Sequence, residues 1–583
     1  MSDPLLRYFE QELAFVRRSL GQFGDKHPSH AENLNIHQGK IEDPSMARLL
    51  DGVALLNATV EKQLSEQLPE VVEGLLSILF PSYVQTIPSV AYLKLEDIEG
   101  PIESTSLPKG AQFSSNVGEQ ECLFQTVDKL DITPFSITNI NALSAPFNFN
   151  RPRGADQSSA VIQITLSTGD PDVHFRHLDL DDLDFFVQGF ENNADSLVEL
   201  LLSQTRSISV SDAKCESHTT LDAGNLKNRI SDLSLTFLPQ HGNQFSGYQL
   251  MSEYFFFKEK RQFFRLKGFG QSVKNHASSE VVVNLFLASL PSEFMRLFDV
   301  SVFQLNVVPA INLFEESGEP IRYDQRTLTA PVNTSAHFGH STEIYEIKEI
   351  YEITPKGEIP LLPLFKNRYN SSRQQNYWQA NRDSFGQYKL MVSLGDNPNS
   401  EFSKLFGTRL ICTNGKVACG IEGAMECKES IDLPGEFSPI YPPSAPITRE
   451  HDQNLHWQFI GMLNSNFSSL LHSNEANEAL KQMLKLCCRN QVSDSDIQTI
   501  RTVTFNSQVA AIRILGKNTF SPGTEIDIEL DTNAPFHVFS DVLNRFFQQF
   551  CSFDRYIQLN IRIFGRDGII KRYPKVHGSQ LCL

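Results

Sequence analysis

Two pairs of histidines stand at a spacing that could suit a metal ion. His174 and His177 enclose the dipeptide Phe-Arg, and His337 and His340 enclose Phe-Gly. Imidazole is a common ligand of zinc, and two imidazoles three residues apart can converge where the backbone turns. Both pairs lie in sequence typical of strands or loops, without a third ligand at a recognisable spacing. Surface or packing histidines are therefore the favoured interpretation, and a multidomain metal-dependent or carbohydrate-active enzyme is the alternative.

The remaining chemical motifs are incomplete. The run "DLDDLD" (179–184) offers four carboxylates but lacks the glycine and the distal Glu of a calcium loop, so a charged, solvated turn is favoured. The run "GFGQSVK" (268–274) begins like a dinucleotide fingerprint and has Val where the third glycine belongs. Cys487 and Cys488, about 100° apart on a helix, would make a poor chelate. The sequence therefore predicts no catalytic residue, no metal and no cofactor.

The composition describes an acidic chain with ample material for several cores. The 583 residues carry a formal net charge of -18, which opposes the phosphate contacts that dominate nucleic-acid binding. Nine cysteines form no C-x-x-C pair, and Met1–Leu20 lacks the continuous apolar run of a secretion signal. These features predict free thiols in the cytoplasm. Phe accounts for 43 of the aromatic residues, which indicates packing more than ligand recognition.

Apolar residues recur at helical spacing near the N-terminus. Asp3-Pro4 and Asp43-Pro44 are each suited to begin a helix. The two stripes that follow are Leu5, Phe9, Leu13, Val16 and Leu20, and then Met46, Leu49, Val53, Leu56, Val60 and Leu64. Such stripes most often pack inside their own chain, although a helix shared with a partner has the same pattern.

A third apolar stretch, residues 70–89, could be taken for a membrane segment. Its mainly apolar part runs from Val71 to Phe80, ten residues that include Glu73. A spanning helix needs about 20 apolar residues, so no transmembrane segment is expected. The stretch must be covered by protein, either its own chain or a partner.

From Val90 onward, short alternating runs punctuated by Gly, Pro, Asn and Asp indicate strands and turns. Helical patterns return at 193–204, 477–488 and 536–553. The predicted fold class is α+β and multidomain. Its parts are an N-terminal helical segment (1–88), a β-rich mixed domain (89–290) and a C-terminal mixed α/β region (291–583).

Read together, these stretches resemble the TssF family of type VI secretion system baseplate subunits (also called ImpG or VasA), from end to end. The residues that carry the resemblance are "YFEQELAFV" (8–16), "EDPSMARLLDGVALLNATVEKQL" (42–64), "LPEVVEGLLSILFPSYVQTIPS" (68–89), "FSGYQLMSEYFFFKEKRQFFRLKGF" (245–269), "FQLNVVPAINLFEESGEPI" (303–321) and "VLNRFFQQFCSFDRYIQLNI" (542–561). Two departures are clear: Gln125 replaces a usual Arg, and Gly415, Lys416 and Val417 follow "CTN", where an Arg and a Leu-Pro pair are usual.

The resemblance implies a structural role without enzymatic activity. Such proteins form a wedge with TssG and TssK, and wedges surround the VgrG spike hub, with TssE also in the assembled baseplate. The assembly stays cytoplasmic and docks at the inner-membrane complex, with no nucleic acid. Similarity to wedge proteins of contractile phage baseplates further implies a helical core bundle shared with a second copy of the chain and a different subunit.

This implication makes the apolar stripes candidates for a partner interface. The candidate residues are Leu5, Phe9, Leu13, Val53, Leu56 and Val60, with ordinary core as the competing interpretation. The C-terminal region would connect neighbouring wedges. Phe546 and Phe550, which share a helix face, are its candidates, and packing on the following strand is the alternative. A self-sufficient adaptor that adds a peptide to a sheet edge is a third possibility.

Overall fold

The computed structural model describes most of the chain after residue 79. The described residues are 80–96, 105–190, 193–240, 246–324, 329–335, 342–364, 376–382, 386–393, 404–448, 476–488, 495–514, 517–531, 535–549, 551 and 555–578, with the short pieces 9–10, 13–14, 36–37, 40–41, 48, 51–59 and 76.

The architecture is mixed and rich in strands, which confirms the predicted fold class. The α-helices with both bounds described are Pro81–Val84, Ala194–Gln204, Ser246–Phe256, Phe269–Val273, Ser292–Met295, Ala476–Cys487, Ser495–Gln498 and His537–Gln549. The three longer helices expected from the pattern, near 193–204, 477–488 and 536–553, are all present, and their predicted bounds differ from the observed ones by at most four residues.

Two antiparallel sheets lie in the middle of the chain and share one core. Sheet A has the strand order His218–Asp222, Thr205–Asp212, Glu280–Leu287, Ala160–Ser167, Ser136–Ser144, and sheet B has the order Leu226–Asn228, Phe263–Leu266, Leu183–Val187, Phe303–Gln304. The β-branched strand Glu280–Leu287 is buried along nearly its whole length, as expected for the centre of a sheet.

A six-stranded sheet, sheet C, crosses the boundary predicted at 290/291. Its strand order is Glu426–Cys427, Gln112–Val117, Gln120–Thr126, Val307–Ile311, Val90–Glu96, Glu436–Pro439. Val307–Ile311 pairs with Val90–Glu96 through five residue pairs, so segments far apart in sequence form one sheet. The largest core likewise joins residues from the middle of the chain with residues beyond 480. The predicted boundary at 290/291 therefore runs through shared sheets and cores.

Two further sheets lie beside sheet C. Sheet D contains Phe314–Ser317, Ile321–Tyr323, Lys404–Thr413, Glu343–Thr354 and Gly357–Pro360, and sheet E contains Ala330–Pro331, Tyr388–Ser393, Tyr377–Arg382 and Leu362–Pro363. Two small antiparallel pairs are also described, Ser106–Leu107 with Leu130–Asp131 and Ile36–His37 with Lys40–Ile41.

The C-terminal unit, sheet F, contains a long hairpin. Its strands are Ile500–Ile514, Lys517–Leu530, Tyr556–Ile563, Lys571–Arg572 and Val576–His577. Lys517–Leu530 and Tyr556–Ile563 are parallel, and the helix His537–Gln549 connects them. Glu199 caps this helix by accepting hydrogen bonds from the backbone N–H of Phe536 (3.1 Å) and His537. The cap ties sheet F to the middle of the chain.

Candidate partner interface

The described helical residues 51–59 have an unusual distribution of side chains. Ala54 and Ala58, four positions apart, are fully buried. The large apolar side chains lie outward: Leu56 is 68% exposed, Leu55 45% and Val53 39%. A surface helix normally buries its large apolar residues and exposes small or polar ones. This stretch does the reverse.

Helical geometry shows that these two sets occupy different faces. At about 100° per residue, Ala54 and Ala58 lie about 40° apart, and Val53 and Leu56 lie about 60° apart on a separate face. Alanine allows close approach of whatever covers the first face. The second face presents branched aliphatic side chains to the surroundings, which is the arrangement expected where another protein covers a helix.

The end of the N-terminal segment is anchored in the chain's own core. Leu76 and Phe80 are buried in the largest core, and the Phe80 ring lies 6.1 Å from that of Tyr248. Tyr83 is also buried there. The apolar stretch 70–89 is therefore covered by its own chain at least at these described positions, whereas residues 51–59 keep an uncovered apolar face.

The other predicted interface residues have different positions. Phe9 and Leu13 are partly buried, and Leu5, Val60 and Phe550 lie outside the described residues. Phe546 is fully buried, with its ring 5.9 Å from Tyr248 and 5.7 Å from Phe547. It is thus part of the chain's own core, where its ring contacts Tyr248 of the helix Ser246–Phe256. It offers no exposed surface to a neighbouring copy.

The sequence interpretation did not single out Leu55. Its signal was present, because alanines at positions 54 and 58 leave positions 53, 55 and 56 as the larger apolar surface. Counting small residues at a spacing of four would have identified the inward face. The prediction from periodicity considered only the large apolar residues, so it could not identify which face of the helix is buried.

The acidic run lines a cleft of about 810 Å³, and two of its four carboxylates, those of Asp182 and Asp184, have recorded structural partners. Asp184 accepts hydrogen bonds from Arg265 Nε and Nη2, both at 2.6 Å, and from Arg229 Nη1 at 3.2 Å. Asp182 accepts one from the backbone N–H of Gly268. Asp179, Asp181 and Asp182 are exposed, as expected for the charged, solvated turn favoured by the sequence, whereas the half-buried Asp184 forms a structural junction at the end of the run.

The glycine motif beside this run serves packing. The carbonyl oxygen of Leu180 occupies the place of a side chain at Gly270, since a Cβ built there would lie 1.6 Å from it. The Gly270 N–H donates to the carbonyl of Asp181 at 2.8 Å. Gly268, at φ +74°, begins the short helix Phe269–Val273. The two glycines therefore join this helix to the acidic run.

The histidine pairs gain no further ligand in the part of the chain that the structure describes. The rings of His174 and His177 lie 5.9 Å apart, and His337 and His340 fall outside that part. No group of three or more His, Cys, Asp or Glu side chains among the described residues is arranged to hold a metal. Nor is any helix in those residues long and apolar enough to cross a bilayer.

A buried ion pair lies within residues 246–269, in one of the stretches that carry the resemblance. Lys260 Nζ lies 2.6 Å from Glu253 Oε2, with both side chains fully buried. Glu253 Oε1 accepts from the backbone N–H groups of Phe237 and Leu238, each at 3.1 Å, and from Gln249 Nε2 at 3.0 Å. Charges this deep persist only when they are paired and hydrogen-bonded. The network joins the helix Ser246–Phe256 to the loop before it.

A second buried network surrounds the "CTN" motif. Asn312 Nδ2 donates to Asn414 Oδ1 at 2.8 Å, and Asn312 Oδ1 accepts from Asn414 N and Thr413 Oγ1, both at 2.7 Å. Asn414 also bonds the backbone of Leu123. The loop that departs from the family pattern forms the 3₁₀ helix Gly415–Gly420, and Gly415 has φ +56°. The network links sheets C and D.

These features define a molecule of several sheets joined by buried polar networks, in which the described residues 51–59 leave an apolar helix face exposed. A family model described as type VI secretion system, TssF, matches residues 1–580. The chain belongs to the TssF family, as the sequence resemblance predicted.

Individual relatives agree with this assignment. The chain is 23% identical over 627 residues, covering all of both chains, to the type VI secretion system component TssF1 of Pseudomonas aeruginosa. It is similar in fold to a chain of the type VI secretion system TssK-TssF-TssG baseplate subcomplex seen by cryo-electron microscopy, with TM-score 0.71, 20% identity, and 92% of this chain and 99% of that one covered. A chain of the baseplate complex from the type VI secretion system matches with TM-score 0.57 and 18% identity over 99% and 100% of the two chains.

Proposed function

We propose that this chain is a structural wedge subunit of a type VI secretion baseplate, assembled with TssG and TssK. Family membership supports the system, and the similar chain from a TssK-TssF-TssG subcomplex supports the assembly. The observation that carries the proposal is the uncovered apolar face of residues 51–59. Val53, Leu55 and Leu56 would form one side of a helical bundle shared with TssG and a second copy of this chain.

The proposal extends to the rest of the assembly. Wedges would surround the VgrG hub together with TssE, in the cytoplasm, and the finished plate would dock at the inner-membrane complex. The finer proposal that the chain is not an enzyme is supported by how its charged groups are used. Asp184 and Glu253, for example, are held by arginine, lysine and backbone donors inside the fold. These groups join structural elements.

The test is co-expression with TssG from the same gene cluster, followed by light scattering on a gel-filtration column. A defined complex containing TssG and more than one copy of this chain is expected. The isolated chain should associate irregularly, because its helix face has no cover. A monodisperse chain that does not bind TssG would contradict the proposal. A bound metal retained by purified chain, and lost when His174 and His177 are replaced, would favour the enzyme alternative.

A further inference from the structure

Two clefts meet on the surface where sheets A, B and C adjoin. The first has a volume of about 960 Å³, and the second, beside the acidic run, about 810 Å³. Pro134, Leu178 and Asn306 line both, so the two clefts adjoin, and we call them together the trough. Small-molecule pockets have volumes of about 300–1,000 Å³. The trough therefore has room for a segment of polypeptide.

Apolar side chains line part of the first cleft. Phe135, Phe303 and Leu305 belong to its lining and are buried, whereas Val173 and Val300, which also line it, are 37% and 44% exposed. Large apolar side chains that are exposed together around a cleft commonly mark the binding site of a partner. This end of the trough is thus suited to an apolar side chain.

An open sheet edge lies beside the same cleft. Ser136 and Ile137 line the cleft and begin Ser136–Ser144, the last strand of sheet A. This strand pairs with Ala160–Ser167 on one side and with no other strand among the described residues. Apart from an irregularity in pairing between Ile137 and Asn139, it has none of the charges or prolines that usually protect an edge. Its backbone N–H and C=O groups can therefore pair with an extended segment.

The second cleft is acidic. Asp179, Asp181 and Asp182 line it and are exposed, and none of them forms a salt bridge within the described part of the chain. The lysine and arginine side chains that line this cleft are already paired with carboxylates: Lys129 with Asp131, Arg229 with Asp128, and Arg265 with Asp184. The unpaired charge is thus negative, and it complements the Lys or Arg side chains of a partner.

We propose that the trough binds an extended, basic segment of another protein. An apolar side chain of this segment enters the first cleft, its backbone pairs with the strand that begins at Ser136, and its Lys or Arg side chains lie beside Asp179, Asp181 and Asp182. The inference goes beyond the proposed baseplate function, because it concerns a different surface from the helix face of residues 51–59.

Charge argues against two other occupants. Residues 97–104 follow Glu96 of the first cleft and precede Thr105 of the second, and they lie outside the described residues. They include Asp97, Glu99 and Glu103 and no basic residue, so the acidic end of the trough disfavours them. A second copy of this chain, with its net charge of -18, is disfavoured for the same reason.

A synthetic peptide tests this chemistry on the full chain. The probe is the fluorescein-labelled heptapeptide FTVTKRK, which has an apolar end and a basic end, and FTVTEEE is its control. Fluorescence polarisation should show saturable binding of the first peptide and no binding of the second. Replacing Asp179, Asp181 and Asp182 together with Asn should weaken binding about tenfold, and so should about 0.5 M salt.

A matched variant controls for the total charge of the chain. Glu315, Glu319 and Glu358 are exposed around sheet D, and replacing all three with Gln removes the same charge as the triple Asn variant. This control variant should bind the basic peptide as the unmodified chain does. Equal binding of the two peptides, or equal weakening by the two triple variants, would overturn the proposal.

Cross-linking identifies what occupies the first cleft. A photo-reactive phenylalanine analogue replaces Val300 in the full chain, and Ile359, which is exposed on sheet D, is replaced as a control. With the basic peptide present, an adduct with the peptide is expected at position 300 and not at 359. An internal adduct with residues 97–104, an adduct of two chains, or no adduct would overturn the proposal. Binding of TssG is measured separately, so the failure of this inference leaves the baseplate function standing.

Discussion

Replacing Leu56 with Ala is expected to weaken binding to TssG more than it lowers the stability of the free chain. The substitution removes three carbon groups, which at about 0.8 kcal/mol each would contribute about 2.4 kcal/mol if fully buried by the partner. Because 68% of the side chain is exposed in the free chain, about 1.6 kcal/mol of this depends on the partner. That loss corresponds to about a 15-fold weaker affinity.

The neighbouring residue, Leu55, tests whether the losses in binding free energy at the two positions add. Leu55 is 45% exposed, so Leu55→Ala should remove about 1.1 kcal/mol by the same reasoning. The double variant should lose about 2.7 kcal/mol, or about 100-fold in affinity, if the two contacts are independent. Titration of labelled TssG with each variant measures these losses, and urea unfolding of each chain measures its stability.

The inward face supplies the matched control. Ala54 is fully buried, so Ala54→Leu should lower the free energy of unfolding by about 1–3 kcal/mol through overpacking. Leu56→Ala should lower it by less, about 0.8 kcal/mol, which is the part of the 2.4 kcal/mol that the free chain already buries. The reasoning is refuted if Leu56→Ala destabilises the free chain as much as Ala54→Leu does, or if TssG binds that variant with unchanged affinity.

Three further predictions concern the fold. Lys260→Met should lower the free energy of unfolding by about 3–5 kcal/mol, because Glu253 loses its buried partner, and Glu253→Gln in the same chain should restore part of this in urea unfolding. Gly270→Ala should reduce soluble yield and melting temperature, since the carbonyl of Leu180 occupies the Cβ position; an unchanged melting temperature would contradict this packing. Burial raises the pKa of Cys487 well above its ordinary value, so iodoacetamide at pH 8 should modify this thiol only after unfolding, as peptide mass analysis would show.

The spacing of apolar residues and the positions of Gly, Pro, Asn and Asp predicted the helices and strands better than they predicted how these elements pair and pack. The helix His537–Gln549 follows from its apolar spacing, and its burial on one face agrees with that pattern. The pairing of Val307–Ile311 with Val90–Glu96 did not follow, because a strand's sequence specifies which residues face a core but not which distant strand lies beside it. A boundary placed from local composition consequently divided one sheet.

The candidate site shows the same division between local and long-range information. The stripe containing Val53 and Leu56 was visible in the sequence, and Phe546 showed an equally good helical pattern. Phe546 is buried against Tyr248, which lies nearly 300 residues earlier, and no local pattern contains that contact. An apolar stripe on a helix indicates that other protein atoms cover it. Whether the cover is the same chain or another depends on the tertiary fold.

The contrast between residues 51–59 and 76–84 links the fold to the proposed assembly. Leu76, Phe80 and Tyr83 are buried in a core that also contains residues of the C-terminal unit, so the end of the N-terminal segment is attached to the rigid body of the protein. The earlier residues keep Leu55 and Leu56 exposed. Core burial at Phe80 and exposure at Leu56 are therefore complementary requirements for a subunit that must fold by itself and still present a helix to its partners.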